Sequence, residues 1–275
     1  MKSVFRPRQK SFPQHKFAIA SELLGDHALL AWSNLGLWRH GDCYVQACQN
    51  MADHLAHGIG LHQNDHLLDL GCGHGASILH WAQHYHIQQI TAVELQAVCV
   101  QNIQQQEIQA LKRLECASFL ALDRFTFPQK FTAIVCIDAL YHHALNTFLK
   151  QTIPLLADHG RIGFHYLQRN PLWKQASTLR RQRSAMLLKM ADVKMKNVLE
   201  HGEIEQELQQ SGCVDIQIEN LTKQVFAGFA NYVQTLDLTD AGLAGFKIKM
   251  TAKLCRQLFE DGLIDYVQVT ARKKH

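Results

Sequence analysis

The chain has 275 residues, 47% of them hydrophobic and 19% charged, with a formal net charge of +4. That length can bury a sizeable core as one domain with an elaboration, and the composition is ordinary for a soluble globular protein. The small charge does not demand a nucleic-acid partner, and no apolar run reaches the ~18 residues of a membrane span.

The N-terminal stretch holds Arg6, Arg8, Lys10 and Lys16 with no acid before Glu22. Pro7 and Pro13 interrupt any helix there, and no apolar core of a secretion signal follows, so 1–16 reads as a flexible basic leader. Residues 17–62 are expected to form an N-terminal helical cap. A first helix over 17–30 carries Ile19, Leu23, Leu24 and Leu30 on one side, and a second over 44–55 buries Val45, Cys48, Met51 and Leu55. Between them, AWSNLGLWRHGD has the tryptophans, asparagine and glycine of a turn-like segment.

From residue 66 the pattern alternates regularly. HLLDLGCGHGAS gives a buried strand (67–70), a glycine turn at Gly71, Gly73 and Gly75, and a helix over 76–86. A strand at 90–93 ends on Glu94, a glutamine-rich helix covers 97–110, and a third strand lies near 113–119. A strand at 131–137 ends at Asp138. A helix over 145–156 is expected to stop at Asp158-His159-Gly160, before a strand at 161–167. Strand–helix alternation of this length implies a parallel sheet with helices on both faces. Residues 171–200 read as a helical insertion, with Lys174, Arg180, Arg181, Arg183 and Lys189 among apolar positions. A helix at 204–211, a strand at 214–221, broken helices over 226–260 and an alternating strand at 263–272 complete the chain.

Eight cysteines include no CxxC pair. Most sit in apolar patterns and read as reduced structural thiols of a cytoplasmic protein. His80 and His84, four apart with His86 nearby, have no carboxylate or cysteine placed in sequence to complete a metal site, so no metal is expected.

The chemistry is expected at the strand ends, where open α/β sheets place ligands. Alternating glycines let a ligand approach the backbone and permit positive φ, and helix-start amides then point toward it. Glu94, 23 residues beyond Gly71, is placed to accept the hydroxyls of an adenosine ribose. Two cofactors fit that geometry. A nicotinamide dinucleotide would use Gly71, Gly73 and Ala76, and S-adenosylmethionine would use Gly71, Gly73 and Gly75. Asp69, two residues before the loop, and the run Asp138, Tyr141, His142, His143 beyond the fourth strand favour the second.

With these pieces in order, the chain resembles the class I S-adenosylmethionine-dependent methyltransferases over roughly 31–235. LLDLGCGHG is similar to the first glycine motif, ITAVEL to the acidic second, IDALYHH to the segment after strand four, and LLADHGRIGF to the following helix–turn–strand. NLGLW (34–38) and ENLTKQVFAGFANYV (219–233) resemble segments of the small-molecule subgroup. That subgroup is similar to sugar O-methyltransferases, phosphoethanolamine-type N-methyltransferases and cyclopropane fatty acid synthases. The resemblance implies an α/β, Rossmann-like, seven-stranded mostly parallel sheet with its last strand antiparallel, a domain over 63–275 and a lid at 171–200. It implies S-adenosyl-L-methionine as cofactor, held by Asp69, Gly71, Cys72, Gly73, Gly75, Glu94, Leu95 and Asp138. Asp123, about two residues late in FLALDRFTF, stands for the acid that meets the adenine. Trp38 is a candidate to cover the cofactor or the acceptor, with core packing as the alternative.

The expected reaction is methyl transfer to oxygen or nitrogen of a small-molecule acceptor in preference to carbon. His142 is the candidate base, with His143 as alternate and Tyr141 shaping the site. The basic 171–200 segment suggests an anionic or bulky acceptor. The rivals are an RNA-directed methyltransferase, a non-catalytic adenosyl-binding protein and an NAD-dependent oxidoreductase.

Overall fold

The structure, a computed structural model, describes residues 19–275; the basic leader and the first two residues of the expected first helix lie outside them. Eight strands form one sheet: β1 His66–Leu70, β2 Gln89–Glu94, β3 Leu111–Cys116, β4 Phe131–Cys136, β5 Leu156–Arg169, β6 Leu199–Glu200, β7 Cys213–Asn220 and β8 Ile264–Lys273. Seven run in the order β3-β2-β1-β4-β5-β8-β7, and two-residue β6 pairs with β5 off this path. Strands β1 to β5 pair in parallel, and β8 runs antiparallel to both β5 and β7. The seven-stranded expectation thus describes the main path, and β6 is an addition.

β1 is central, with β2 on one side and β4 on the other, so Leu67–Leu70 is buried throughout. A continuous apolar run is what burial on both faces requires. From β1 the chain winds outward through β2 and β3, then returns to start β4 on the other side. The crevice between the C-terminal ends of β1 and β4 is therefore the topological switch point. The glycine loop leaves one of these strands and Asp138 follows the other.

Helices cover both faces. Helix α1 (Tyr44–Ile59) buries Tyr44, Ala47, Cys48, Met51, Ala52, Leu55 and Ile59, the three-and-four spacing of one helix face. Leu55 and Ile59 lie so close to β5 that a Cβ on Gly163 would come within 2.7 Å of Ile59. Helix α2 (Ala76–His84) contributes Ile78 and Trp81, and α3 (Ala97–Gln104) contributes Ile103 to the same core. On the other face, Phe148 and Leu149 of α4 (Leu145–Thr152) pack with Ile204 and Leu208 of α6 (His201–Gln210). The eight cysteines are unpaired.

Four expectations change. Among the described residues, the first helix reduces to a 3-10 turn, Ser21–Leu24, ended by Gly25 at φ 92. Asp26 then holds the following segment open, its carboxylate accepting the Ala28 and Trp32 amides. The helix at 145–156 stops early because Pro154 supplies no amide to continue it; a 3-10 turn Ile153–Leu155 leads directly into β5. Asp158-His159-Gly160, expected as a helix stop, lies inside β5, where His159 at φ 60 and a register irregularity mark a bulge. The insertion is three pieces rather than one helix: a 3-10 turn Pro171–Gln175, α5 Thr178–Met190 capped by the Ser177 side chain, and a 3-10 turn Met195–Asn197. The last helical region comprises a π-helical turn Lys223–Ala227, α7 (Gly228–Gln234) and α8 (Gly242–Asp261).

Candidate active site

A cavity of about 510 Å³ opens at the switch point. Its wall draws the polar residues Ser33, Gly73, His74, Glu94 and Gln96 from the ends of β1 and β2 and the segment after the first turn, and the apolar residues Leu167, Leu188, Val193, Phe226, Leu254 and Leu258 from β5, the insertion, the π-helical turn and α8. Asp138, Tyr141, His142, His143 and Tyr266 also line it.

The loop glycines take φ of 71, 56 and 91 at Gly71, Gly73 and Gly75, a region other residues enter only with strain, and Gly73 lines the cavity. A Cβ on Gly73 would stand 2.7 Å from the Ser33 hydroxyl, so the loop and the segment after the first turn close on one another there. Glu94 closes β2 with its carboxylate in the cavity wall and pinned, Oε2 accepting the Gly73 amide at 2.9 Å and Oε1 the Gln96 amide at 2.8 Å. The acid that ends β2 therefore also fixes the shape of the loop after β1. Exposed Leu95 lines the same wall.

Asp69 lies beneath the loop. With Gly71, Cys72 and Ser77 it surrounds a separate space of about 30 Å³, and the Trp81 indole N–H donates to its Oδ2 at 2.8 Å. Burial pushes its carboxyl up to about 6, against the hydrogen bond from Trp81 and the nearby Ser77 hydroxyl. Cys72 is buried, which pushes its thiol well up and keeps it protonated.

The chemistry-bearing turn after β4 is a 3-10 turn, Leu140–His142. Tyr166 on β5 donates to the His143 carbonyl, and the Asn197 side-chain amide donates to the His142 carbonyl at 2.9 Å. Tyr166 thus braces the histidine turn. The His142 Nδ1 lies 3.4 Å from the Asp192 carbonyl at the end of α5, and His143 meets Phe119 edge-on. Asp138, at φ 51, accepts from the Tyr266 hydroxyl and from the Leu35 amide, each at 2.8 Å. The second bond ties NLGLW to the end of β4.

Not every expected site residue reaches the cavity. Trp38 stacks on Tyr232 with ring centroids 4.4 Å apart, and its indole N–H donates to the Leu35 carbonyl. It braces the NLGLW segment from behind, against Gly228, where a Cβ would come within 2.5 Å of the tryptophan. Asp123 is exposed on a 3-10 turn, Leu122–Arg124, outside the cavity wall, whereas Phe119, four residues earlier, is part of it. Gly75 caps α2 against Ile103. The arginines of the insertion also turn elsewhere: Arg180 donates to the Asp261 carbonyl, Arg181 to the Lys174 carbonyl, and Arg183 pairs with Asp261. Lys194 is the insertion's cation in the cavity wall. His80 and His84 do have a carboxylate nearby, since Asp53 reaches across from α1 to His80 at 2.7 Å and to the Tyr85 hydroxyl. Among the described residues no cluster of three metal-ligating side chains forms.

Sequence reading missed Tyr266, Phe226 and the α8 face Thr251, Leu254, Cys255 and Leu258, all in the cavity wall. Their spacing signals one face of a strand or helix, which is the same signal whether that face meets core or cavity.

A mostly parallel sheet with one reversed strand, an alternating-glycine loop after β1 and a carboxylate closing β2 on that loop define a class I S-adenosylmethionine-dependent methyltransferase. The fit to that cofactor rests on the cavity itself: bare glycine backbone at the switch point, and a fixed carboxylate 21 residues on from Gly73. The chain belongs to the mycolic acid cyclopropane synthetase family, whose model matches residues 36–260. It is 24% identical over 234 residues to erythromycin 3''-O-methyltransferase of Saccharopolyspora erythraea, covering 80% of this chain and 75% of that one. Its fold is similar to the cyclopropane synthase MmaA2 of Mycobacterium tuberculosis, with a TM-score of 0.72, 16% identity, and 98% and 100% of the two chains covered. It is also similar to geranyl diphosphate C-methyltransferase of Streptomyces coelicolor, solved with S-adenosyl-L-homocysteine, with a TM-score of 0.70, 18% identity, and 99% and 100% covered. Among the described residues no helix is long and apolar enough to cross a membrane.

Proposed function

We propose that this enzyme transfers a methyl group to an oxygen or nitrogen atom of a small acceptor with a largely apolar body. The observation that carries the reading is the lining of one cavity, which joins Gly73 and Glu94 from the cofactor loop, the apolar Leu167, Leu188, Phe226, Leu254 and Leu258 from β5, the insertion, the π-helical turn and α8, and the Tyr141–His143 turn. The relative that is an O-methyltransferase is consistent with oxygen as acceptor.

When bound, S-adenosylmethionine supplies a methyl group on a positively charged sulfur, already a strong electrophile. The residues of this chain then have three tasks. Gly73 and Glu94 would hold the adenosyl end, with Gly71 and Gly75 shaping the loop behind them, and the insertion and α8 would enclose the acceptor. Fixing the two against each other removes orientational freedom that is worth several kcal/mol, up to about 10 in well-aligned cases. The apolar wall excludes water, which would otherwise compete for the acceptor's place. His142 takes the proton of a hydroxyl or ammonium acceptor. With its Nδ1–H donating to the Asp192 carbonyl, Nε2 is the ring nitrogen able to accept it. Tyr166 and Asn197 fix the backbone that carries this ring.

The test is transfer of labelled methyl to a panel of apolar alcohols, amines and alkenes, in the wild type and in His142→Ala. Oxygen or nitrogen products, with turnover down ~100-fold or more in the variant and cofactor affinity unchanged, are expected. Products methylated only on carbon, or undiminished turnover by the variant, would refute the acceptor reading and the base role respectively.

A further inference from the structure

Asp138 lies half-buried in the cavity wall with a backbone φ of 51. That left-handed conformation is strained for most side chains and better tolerated by aspartate. Two donors from distant parts of the chain converge on its carboxylate, the Tyr266 hydroxyl from β8 and the Leu35 amide from NLGLW, and Tyr141 of the adjoining turn lines the same wall. Its own amide faces His165 Nδ1 of β5 at 3.4 Å. None of these donors carries a charge.

The titratable groups around it are uniform in one respect. They are Tyr44 and Cys48 from α1, Cys136 from β4, Tyr141, His165 from β5, Cys255 from α8 and Tyr266. Burial pushes every phenol and thiol in this set up, and pushes the His165 imidazole down to about 3. All are neutral at neutral pH. Among the described residues, no lysine, arginine or histidine forms an ion pair with Asp138. Withdrawing a carboxylate from water without a counter-charge is unfavourable, and neutral donors offset only part of that. Lys194, also in the cavity wall, forms no ion pair with Asp138. An anion so placed, oriented by neutral donors and paired with no cation among the described residues, is completed by a cation that arrives with a ligand.

We propose that Asp138 is the seat of an onium charge, the sulfonium of the bound cofactor, and so selects the methyl-bearing cofactor over its demethylated product. The proposal rests on the cavity being the cofactor and acceptor site and names what its middle recognises. The same chemistry is offered by an acceptor with a protonated or quaternary nitrogen, so the experiment separates the two sources. Tyr266 is then a positioning residue, holding the carboxylate and favouring its ionised form.

The experiment is calorimetric titration of S-adenosylmethionine and, separately, S-adenosylhomocysteine into the full chain at pH 7.5 and pH 5. Wild type, Asp138→Asn and Tyr266→Phe are compared. In the wild type the charged ligand should bind ~10-fold or more tightly than the neutral one at pH 7.5, and the ratio should shrink at pH 5 as the carboxyl takes a proton. Tyr266→Phe should move the midpoint of that change to higher pH, because a donor to the ionised form is gone. In Asp138→Asn the ratio should be near one and independent of pH. If the two ligands bind the wild type alike, tetramethylammonium is titrated into the homocysteine complex. Binding there that is lost in Asp138→Asn supports the onium seat and assigns its charge to the acceptor. A wild-type ratio that does not change with pH, together with an unaltered ratio and tetramethylammonium response in a folded Asp138→Asn, would overturn the proposal. If neither cofactor form binds the wild type, the cofactor reading fails, and this inference fails with it.

Discussion

Asp69→Asn isolates a pH-dependent destabilisation that the structure places under the glycine loop. Burial pushes the Asp69 carboxyl from 3.8 up to about 6, with the hydrogen bond from Trp81 and the nearby Ser77 hydroxyl opposing the shift. Between these values the folded protein holds a proton that the unfolded chain has released. Stability therefore falls as pH rises through the window, and the whole loss is present above it. A displacement of roughly 2 pH units at ~1.4 kcal/mol each gives roughly 3 kcal/mol. Asparagine has nearly the same shape and no charge. Its oxygen can accept from the Trp81 indole, and its amide can donate to the buried Ser77 hydroxyl. Urea denaturation of both proteins at intervals from pH 3.5 to 7.5 reads the effect as a difference, which cancels the titration of every other group. The variant's stability relative to the wild type should rise by roughly 2 kcal/mol from pH 4 to pH 7, part of the full loss being already present at pH 4. A difference that stays flat with pH, or declines, would refute the buried-carboxylate argument for Asp69.

Other perturbations test the loop and its supports. Gly73→Ala puts a Cβ 2.7 Å from the Ser33 hydroxyl at a φ of 56, which should lower stability by about 1–2 kcal/mol and weaken S-adenosylmethionine binding ~10-fold or more. Adding Ser33→Ala should relieve the contact but not the backbone strain, so calorimetry on the double variant should recover only part of the loss. Gly228→Ala drives a Cβ to 2.5 Å from Trp38 and should reduce stability by about 1–3 kcal/mol through overpacking. Replacing Trp38 by leucine in the same chain should make the two substitutions non-additive in a denaturation cycle. His142→Ala, with cofactor binding as the control, checks the base.

What the sequence by itself determined was local. Gly71, Gly73 and Gly75 show in the chain because a turn that exposes bare backbone can be built from few other residues. Glu94 and Asp138 show because a charged residue ending an apolar strand marks where that strand leaves the core. The alternation of strands and helices from 66 onward was enough to give a mostly parallel sheet, because each period reports one element's own burial. The element ends were less legible. Pro154 and the β5 bulge shifted a helix end by a few residues, and among the described residues the apolar pattern over 17–30 yielded one turn.

Only the tertiary structure decided which polar groups meet. Asp69 and Asp138 both end central strands, yet the first is locked beneath the loop by Trp81 and the second lines the cavity under Tyr266. Trp38 lies close in sequence to cavity residues but packs behind them, while Tyr266, 128 residues from Asp138, donates to it. The arginines of the insertion are drawn to Asp261 and to backbone carbonyls. The physical reason is common to all of these. Periodicity tells which face of a helix or strand is apolar, but the partner of that face is set by how distant elements pack. A phenol or carboxylate is given its role by the neighbour that packing brings to it.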